Sequence, residues 1–188
     1  MRRFIILLAV ALQGLLLTAQ TRTVRPIEVE LNAGAGVVMN KLDYAWNSFV
    51  QAYGVEARYN VLDGRFDIGL GLRGGIITRA SETVFSKVFV PINLYAVADY
   101  NYFVSNNLSL FAGLAVGVTY QKVLPGTLCA GDWMERTYNG KIWSPYLAPR
   151  VGVECWDRLR LTLACQLTDP GSQYTGIHLG YVFGGRKQ

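Results

Sequence analysis

His178 is the only histidine of the chain, and Ser109 and Ser144 are hydroxyls that could stand beside it as nucleophiles. A hydrolase or acyltransferase needs the imidazole to take a proton from such a hydroxyl while a carboxylate orients the ring. No spacing ties these residues together, so His178 reads as a member of a hydrogen-bonded network rather than as a base. Cys129, Cys155 and Cys165 fall in neither CxxC nor Cys/His spacing, which speaks against both a disulfide framework and a metal site. Gly69-Leu70-Gly71 and Gly74-Gly75 lead into no helix that could complete a phosphate cradle. The sequence therefore predicts no catalytic, cofactor-binding or metal-ligating residues.

The charged residues have a pattern of a different kind. Glu28, Glu30, Glu56, Arg58, Asp67, Arg73, Lys87, Arg150, Glu154, Arg158 and Arg160 fall in alternation with apolar residues, and so does His178. In Val55-Glu56-Ala57-Arg58-Tyr59-Asn60-Val61 and in Leu159 to Leu167 a period of two sends one set of side chains to each face of a strand. Charges of both signs on one face, with an oily face behind them, predict an interior polar network inside an apolar wall.

Eight such stretches are present: 27–38, 49–61, 66–77, 84–99, 108–121, 143–155, 158–168 and 174–183. The gaps after the second, fourth and sixth are short, being 62–65, 101–107 and Trp156-Asp157. Asp63-Gly64 in the first of them is a hairpin signal, because both residues accept positive φ. The other gaps are longer, the longest running from Lys122 to Ile142. Tight turns at one end and long loops at the other are the layout of an all-β, closed, eight-stranded antiparallel transmembrane β-barrel with up-and-down meander order.

A soluble barrel has the same period with its oily face inward, so the faces must decide. Leu108, Leu110, Ala112, Leu114, Val116 and Val118 form a continuous apolar row, whereas Ser109, Phe111, Gly113, Ala115, Gly117 and Thr119 are mostly small, as a narrow lumen requires. A ligand-binding calyx would line its cavity with apolar groups instead. Trp46, Trp133, Trp143 and Trp156 all sit in loops or at strand ends, with tyrosines near them, as interfacial girdles demand. Cys155 and Cys165 fall in phase with the apolar rows and read as small lipid-facing side chains too far apart to bridge.

The first residues give the compartment. Met1-Arg2-Arg3 is a basic start, Phe4 to Leu17 is an almost unbroken apolar run, and Thr18-Ala19 supplies small residues, which is the form of a secretory signal peptide. Its apolar run of about 14 residues is shorter than the roughly 20 that cross a bilayer as a helix. The expected division is a signal peptide at 1–19 and one outer-membrane barrel domain at 20–188. Losing Arg2 and Arg3 lowers 18 basic residues to 16 against 13 acidic, so the net charge falls from +5 to +3. A surplus that small and scattered does not point to nucleic acid. The mean hydropathy of +0.22 is high for a secreted soluble domain.

Val88-Phe89-Val90-Pro91-Ile92-Asn93-Leu94-Tyr95, continuing to Phe103, resembles the fourth-strand pattern of small outer-membrane β-barrel proteins of the PorT-like type. Gly176-Ile177-His178-Leu179-Gly180-Tyr181-Val182-Phe183 resembles their last strand, although here Gly184 to Gln188 follow the aromatic. The resemblance implies an outer-membrane location and no assigned enzymatic activity.

Three functional readings are carried forward. The first is a plugged barrel with a structural or interaction role through its external loops, both chain ends lying on the periplasmic side. The second is an accessory subunit of a secretion or uptake complex, and the third is a lipid-modifying enzyme built on His178. The expected partners are outer-membrane lipids and another envelope protein, the barrel itself being monomeric. In the longest loop Trp133, Arg136 and Tyr138 are the residue types that grip partners and form the candidate external contact.

Overall fold

A computed structural model describes residues 24–39, 49–62, 64–79, 87–105, 107–124, 141–168 and 173–186. The signal segment and most of each long loop, including Cys129, Trp133, Arg136 and Tyr138, lie outside the described residues.

The strands are β1 (Val24–Val38), β2 (Phe49–Val61), β3 (Phe66–Arg79), β4 (Lys87–Ser105), β5 (Leu108–Leu124), β6 (Lys141–Cys155), β7 (Leu159–Gln166) and β8 (Tyr174–Arg186). Each pairs antiparallel with the next, and β8 returns to β1, with Gly34 opposite His178, so the sheet closes into a barrel. Closure removes both sheet edges and leaves no backbone row unpaired in lipid.

The two faces separate as the alternation requires. Leu114 is 41% exposed and Val116 50%, while Ala115 between them is 1% exposed. The outer wall carries Ile27, Leu31, Leu70, Leu72, Leu94, Leu161, Leu163, Ile177 and Leu179, all exposed. Cys155 and Cys165 are free and half-buried on this outward phase, and Cys155 lies opposite Leu159. An apolar exterior around a polar interior is the arrangement of a membrane-spanning barrel and the reverse of a soluble one.

Several boundaries differ from the sequence reading. β4 does not stop at Asp99 but continues to Ser105, because the polar Asn101 is no turn residue. Its amide points inward and donates to Asp67 at 2.6 Å and to the Gly64 carbonyl at 3.0 Å. Arg158, expected inside, is exposed at the rim and donates to the Tyr181 hydroxyl at 3.0 Å. It closes the tight turn after Cys155, where the wall ends before a lumen can enclose it. In that turn Trp156 and Asp157 both take positive φ, 55° and 54°, with no glycine to ease them. In the first short turn positive φ falls on Leu62 and Gly64. Lys87 begins β4, but its side chain is outside the described ones.

β6 holds a local weakness. Leu147 exchanges both backbone hydrogen bonds with Leu167. Groups two residues apart on a strand point the same way, so the nitrogens of Pro145 and Pro149 also face β7 and have no hydrogen to donate. The regular β6–β7 ladder accordingly runs only from Arg150↔Ala164 to Cys155↔Leu159.

Candidate functional site

The lumen is filled by the residues whose charge pattern the sequence displays. Glu28 and Glu30 enter from β1, Glu56 and Arg58 from β2, Asp67 and Arg73 from β3, Arg150 and Glu154 from β6, Arg160 from β7 and His178 from β8, and all are buried. Neighbouring strands bring the short links together. Glu28 lies opposite Arg58, whose guanidinium reaches Glu30 at 2.6 Å and Glu28 at 3.4 Å. Glu154 lies opposite Arg160, at 3.3 Å.

Links across the lumen join these pairs into one network. Arg150 meets Glu56 at 2.8 Å, and Arg73 approaches the same carboxylate at 3.3 Å. Beside Glu56 the network has a second junction, a residue absent from the sequence-based set, Asp99 on β4, which is 0% exposed. It accepts hydrogen bonds from Arg150 Nε at 2.8 Å and Nη2 at 2.6 Å, and from Arg160 Nη2 at 2.6 Å. The fork on Arg150 is a bidentate arginine–carboxylate contact, the geometry in which a guanidinium binds most strongly. The signal that could have found Asp99 was its phase: odd positions from Phe89 to Asn101 face inward.

Aromatic and uncharged polar groups fill what the ion pairs leave. Tyr95 donates to Glu56 at 2.7 Å and stacks on Tyr146 with ring centroids 5.1 Å apart. Arg160 lies over the Phe111 ring at 3.6 Å. Asn93 links Thr119, at 2.7 Å, to Gln166, at 3.3 Å. Large inward residues face glycines across the ladder: Tyr95 opposite Gly71, Asp99 opposite Gly113, and Phe111 opposite Gly152. A Cβ at any of these glycines would overlap the facing side chain. Beyond this polar layer, towards the long loops, the interior turns apolar with Val50, Ala52, Ile77, Phe89 and Tyr174.

The serine and histidine chemistry is not assembled among the described residues. The Ser144 hydroxyl shares a hydrogen bond with Thr168 at 2.9 Å, while Ser109 sits opposite Glu154 at the other end of the barrel. Both nitrogens of His178 are buried without a hydrogen-bond partner among the described residues. Glu28, Glu30, Glu56, Asp99 and Glu154 are held by arginines, an arrangement that immobilises their charge, while Asp67 accepts from the Asn101 amide.

Similarity to solved proteins follows the same architecture. Neisserial surface protein A (NspA) superposes with a TM-score of 0.50 at 12% identity, covering 87% of this chain and 97% of that one. The common ground is the fold. Two further similar structures are Ail, the attachment invasion locus protein of Yersinia pestis (12% identity, TM-score 0.48, 84% of this chain and 97% of that one), and the outer membrane protein OprG from Pseudomonas aeruginosa (12%, 0.46, 88% and 100%). No family model matches the sequence. No curated protein matches it either.

Proposed function

We propose that this chain is an outer-membrane protein of the PorT-like type, exported by the segment 1–19, that works as a rigid plugged barrel displaying its long loops outside the cell. Both termini then lie on the periplasmic side. The observation that carries this reading is the lumen itself. Arg58, Arg73, Arg150 and Arg160 are each at most 5% exposed and each meets a carboxylate, so a passing ion would have to break buried pairs. Barrels of about eight strands are filled by their own side chains, whereas aqueous channels need about sixteen. The working surface is then what the long-loop end presents, with Trp133, Arg136 and Tyr138 as anchors for another envelope protein and the surrounding lipids as the second partner.

Two measurements test this. Planar-bilayer recordings on the refolded protein should show no stable large openings, and their presence would refute the plug. Residues 128–138 replaced by a short Gly/Ser linker should leave a barrel that still changes mobility on heating but no longer co-purifies the partners of the full chain. Retention of every partner by the shortened protein would remove the loop from the proposal.

A further inference from the structure

Met39, Thr175 and Cys165 meet on the outer wall towards the long-loop end, although 126 residues separate the two sulfurs in sequence. Met39 leaves the end of β1 in the outward phase of Val37, its backbone N–H donating to the Gln173 carbonyl at 3.1 Å. Thr175 of β8 lies opposite Val37 on one side and opposite Cys165 of β7 on the other. The Met39 side chain therefore crosses the small Thr175 to reach Cys165. Its thioether Sδ accepts two hydrogen bonds, from Thr175 Oγ1 at 2.9 Å and from the Cys165 thiol at 3.4 Å. Cys165 is free, and Met39 is 48% exposed. Cysteine spacing along the chain gives no hint of this pair, because only the return of β8 to β1 brings Met39 within reach of β7.

Thiolate and thioether are soft ligands, and together they select copper(I). With the Thr175 hydroxyl on the same sulfur, the thioether is held facing the thiol rather than the lipid. The surroundings select the charge of the ion. Val37, Leu163, Leu167 and Ile177 form the exposed apolar wall around the pair. A dication on a single thiolate would leave an uncompensated charge among them, which is costly, whereas a monovalent ion leaves none. The ion takes the place of the thiol hydrogen: the S–H bond breaks, the proton goes to water, and the thiolate binds the metal while the Met39 sulfur supplies a lone pair as second ligand. Metal–sulfur bonds of about 2.3 Å at a trigonal angle need sulfurs about 4 Å apart, so the pair has to open by about 0.6 Å. Met39 is unbranched and ends its strand, so its side chain can supply that movement.

We propose that Cys165 and Met39 bind a copper(I) ion, with Thr175 as the positioning residue. The assignment depends neither on which way the barrel points nor on a partner for the loops. Cys129→Ser and Cys155→Ser together leave Cys165 as the sole thiol of the full chain. Refolded in detergent micelles without oxygen, that protein should withdraw copper(I) from its coloured bicinchoninate complex, and the loss of colour is the readout. Cys165→Ser should abolish the transfer. Thr175→Val should weaken retention about tenfold and Met39→Leu at least as much, with Thr175→Ser restoring it and heat-dependent mobility preserved throughout. X-ray absorption at the copper edge should find two sulfur ligands, and one after Met39→Leu. Unchanged retention by Met39→Leu reduces the site to an ordinary thiol and overturns the pair. Displacement of the copper by equimolar zinc overturns the choice of a monovalent ion.

A second measurement needs no reducing conditions. Silver(I), a soft monovalent ion of the same class, should shield Cys165 from a maleimide in the protein with the sole thiol, and should shield it less once Met39→Leu is added. Equal shielding in the two proteins refutes the proposal.

Discussion

Replacing Asp99 by Asn removes one charge at the point where two strands' arginines converge. Asparagine keeps the volume, so no cavity forms, but its amide nitrogen is a donor facing donors. Three charge-assisted hydrogen bonds are weakened, two from Arg150 and one from Arg160. Added one by one at about 1.5 to 3 kcal/mol each, they would exceed what a buried pair is worth as a whole. Arg150 still has Glu56 at 2.8 Å and Arg160 still has Glu154 at 3.3 Å, so neither cation is fully abandoned. The expected loss is therefore about 3 to 5 kcal/mol, the cost of breaking a buried ion pair from one side. Glu28→Gln is the control, since Glu28 meets Arg58 only at 3.4 Å while Glu30 holds the same guanidinium at 2.6 Å; its loss should be about 1 kcal/mol. Urea titration of refolding in lipid vesicles, followed by heat-modifiable mobility, gives both values. Combining Asp99→Asn with Arg160→Gln should show a coupling of about 1 to 3 kcal/mol in a double-mutant cycle. If Asp99→Asn costs no more than Glu28→Gln, Asp99 is not the junction that its distances to Arg150 and Arg160 make it.

The wall and the packing inside it can be probed in the same assay. Leu114→Arg should cost about 2 to 4 kcal/mol because it puts a charge near the middle of the lipid-facing belt, whereas Ala115→Ser, one residue along and facing the polar lumen, should cost less than about 1 kcal/mol; equal losses would mean the faces are exchanged. Gly113→Ala should cost about 1 to 3 kcal/mol, since its Cβ would overlap the Asp99 carboxylate and the Ala98 carbonyl, while Gly74→Ala, with open space within 4 Å, should be neutral or stabilising by about 0.5 to 1 kcal/mol. Matching effects at the two glycines would show that room for the facing side chain is not what selects them.

What could be read from the sequence and what could not divide along a physical line. A period of two is a local property of the backbone, so the alternation at Leu108 to Thr119 assigns both faces of β5, and β2 runs from Phe49 to Val61 as the pattern alone implies. Asn101 misleads because the same amide that suits a turn also suits a lumen, and only the position of Asp67 on the neighbouring strand decides between them. Pro145 and Pro149 weigh against a strand, yet the alternation already assigns one at 143–155 and β6 passes through both; what the sequence does not show is that their nitrogens face β7 and shorten that ladder. Pairings across the lumen lie further out of reach. Arg150 finds Glu56 at a separation of 94 residues and Asp99 at 51, distances fixed by closure of the whole sheet rather than by any local signal. Inside this barrel Arg58, Arg73, Arg150 and Arg160 each meet a carboxylate, and outside it the apolar belt faces lipid, so what remains open to water is the two rims and the loops that join the strands there.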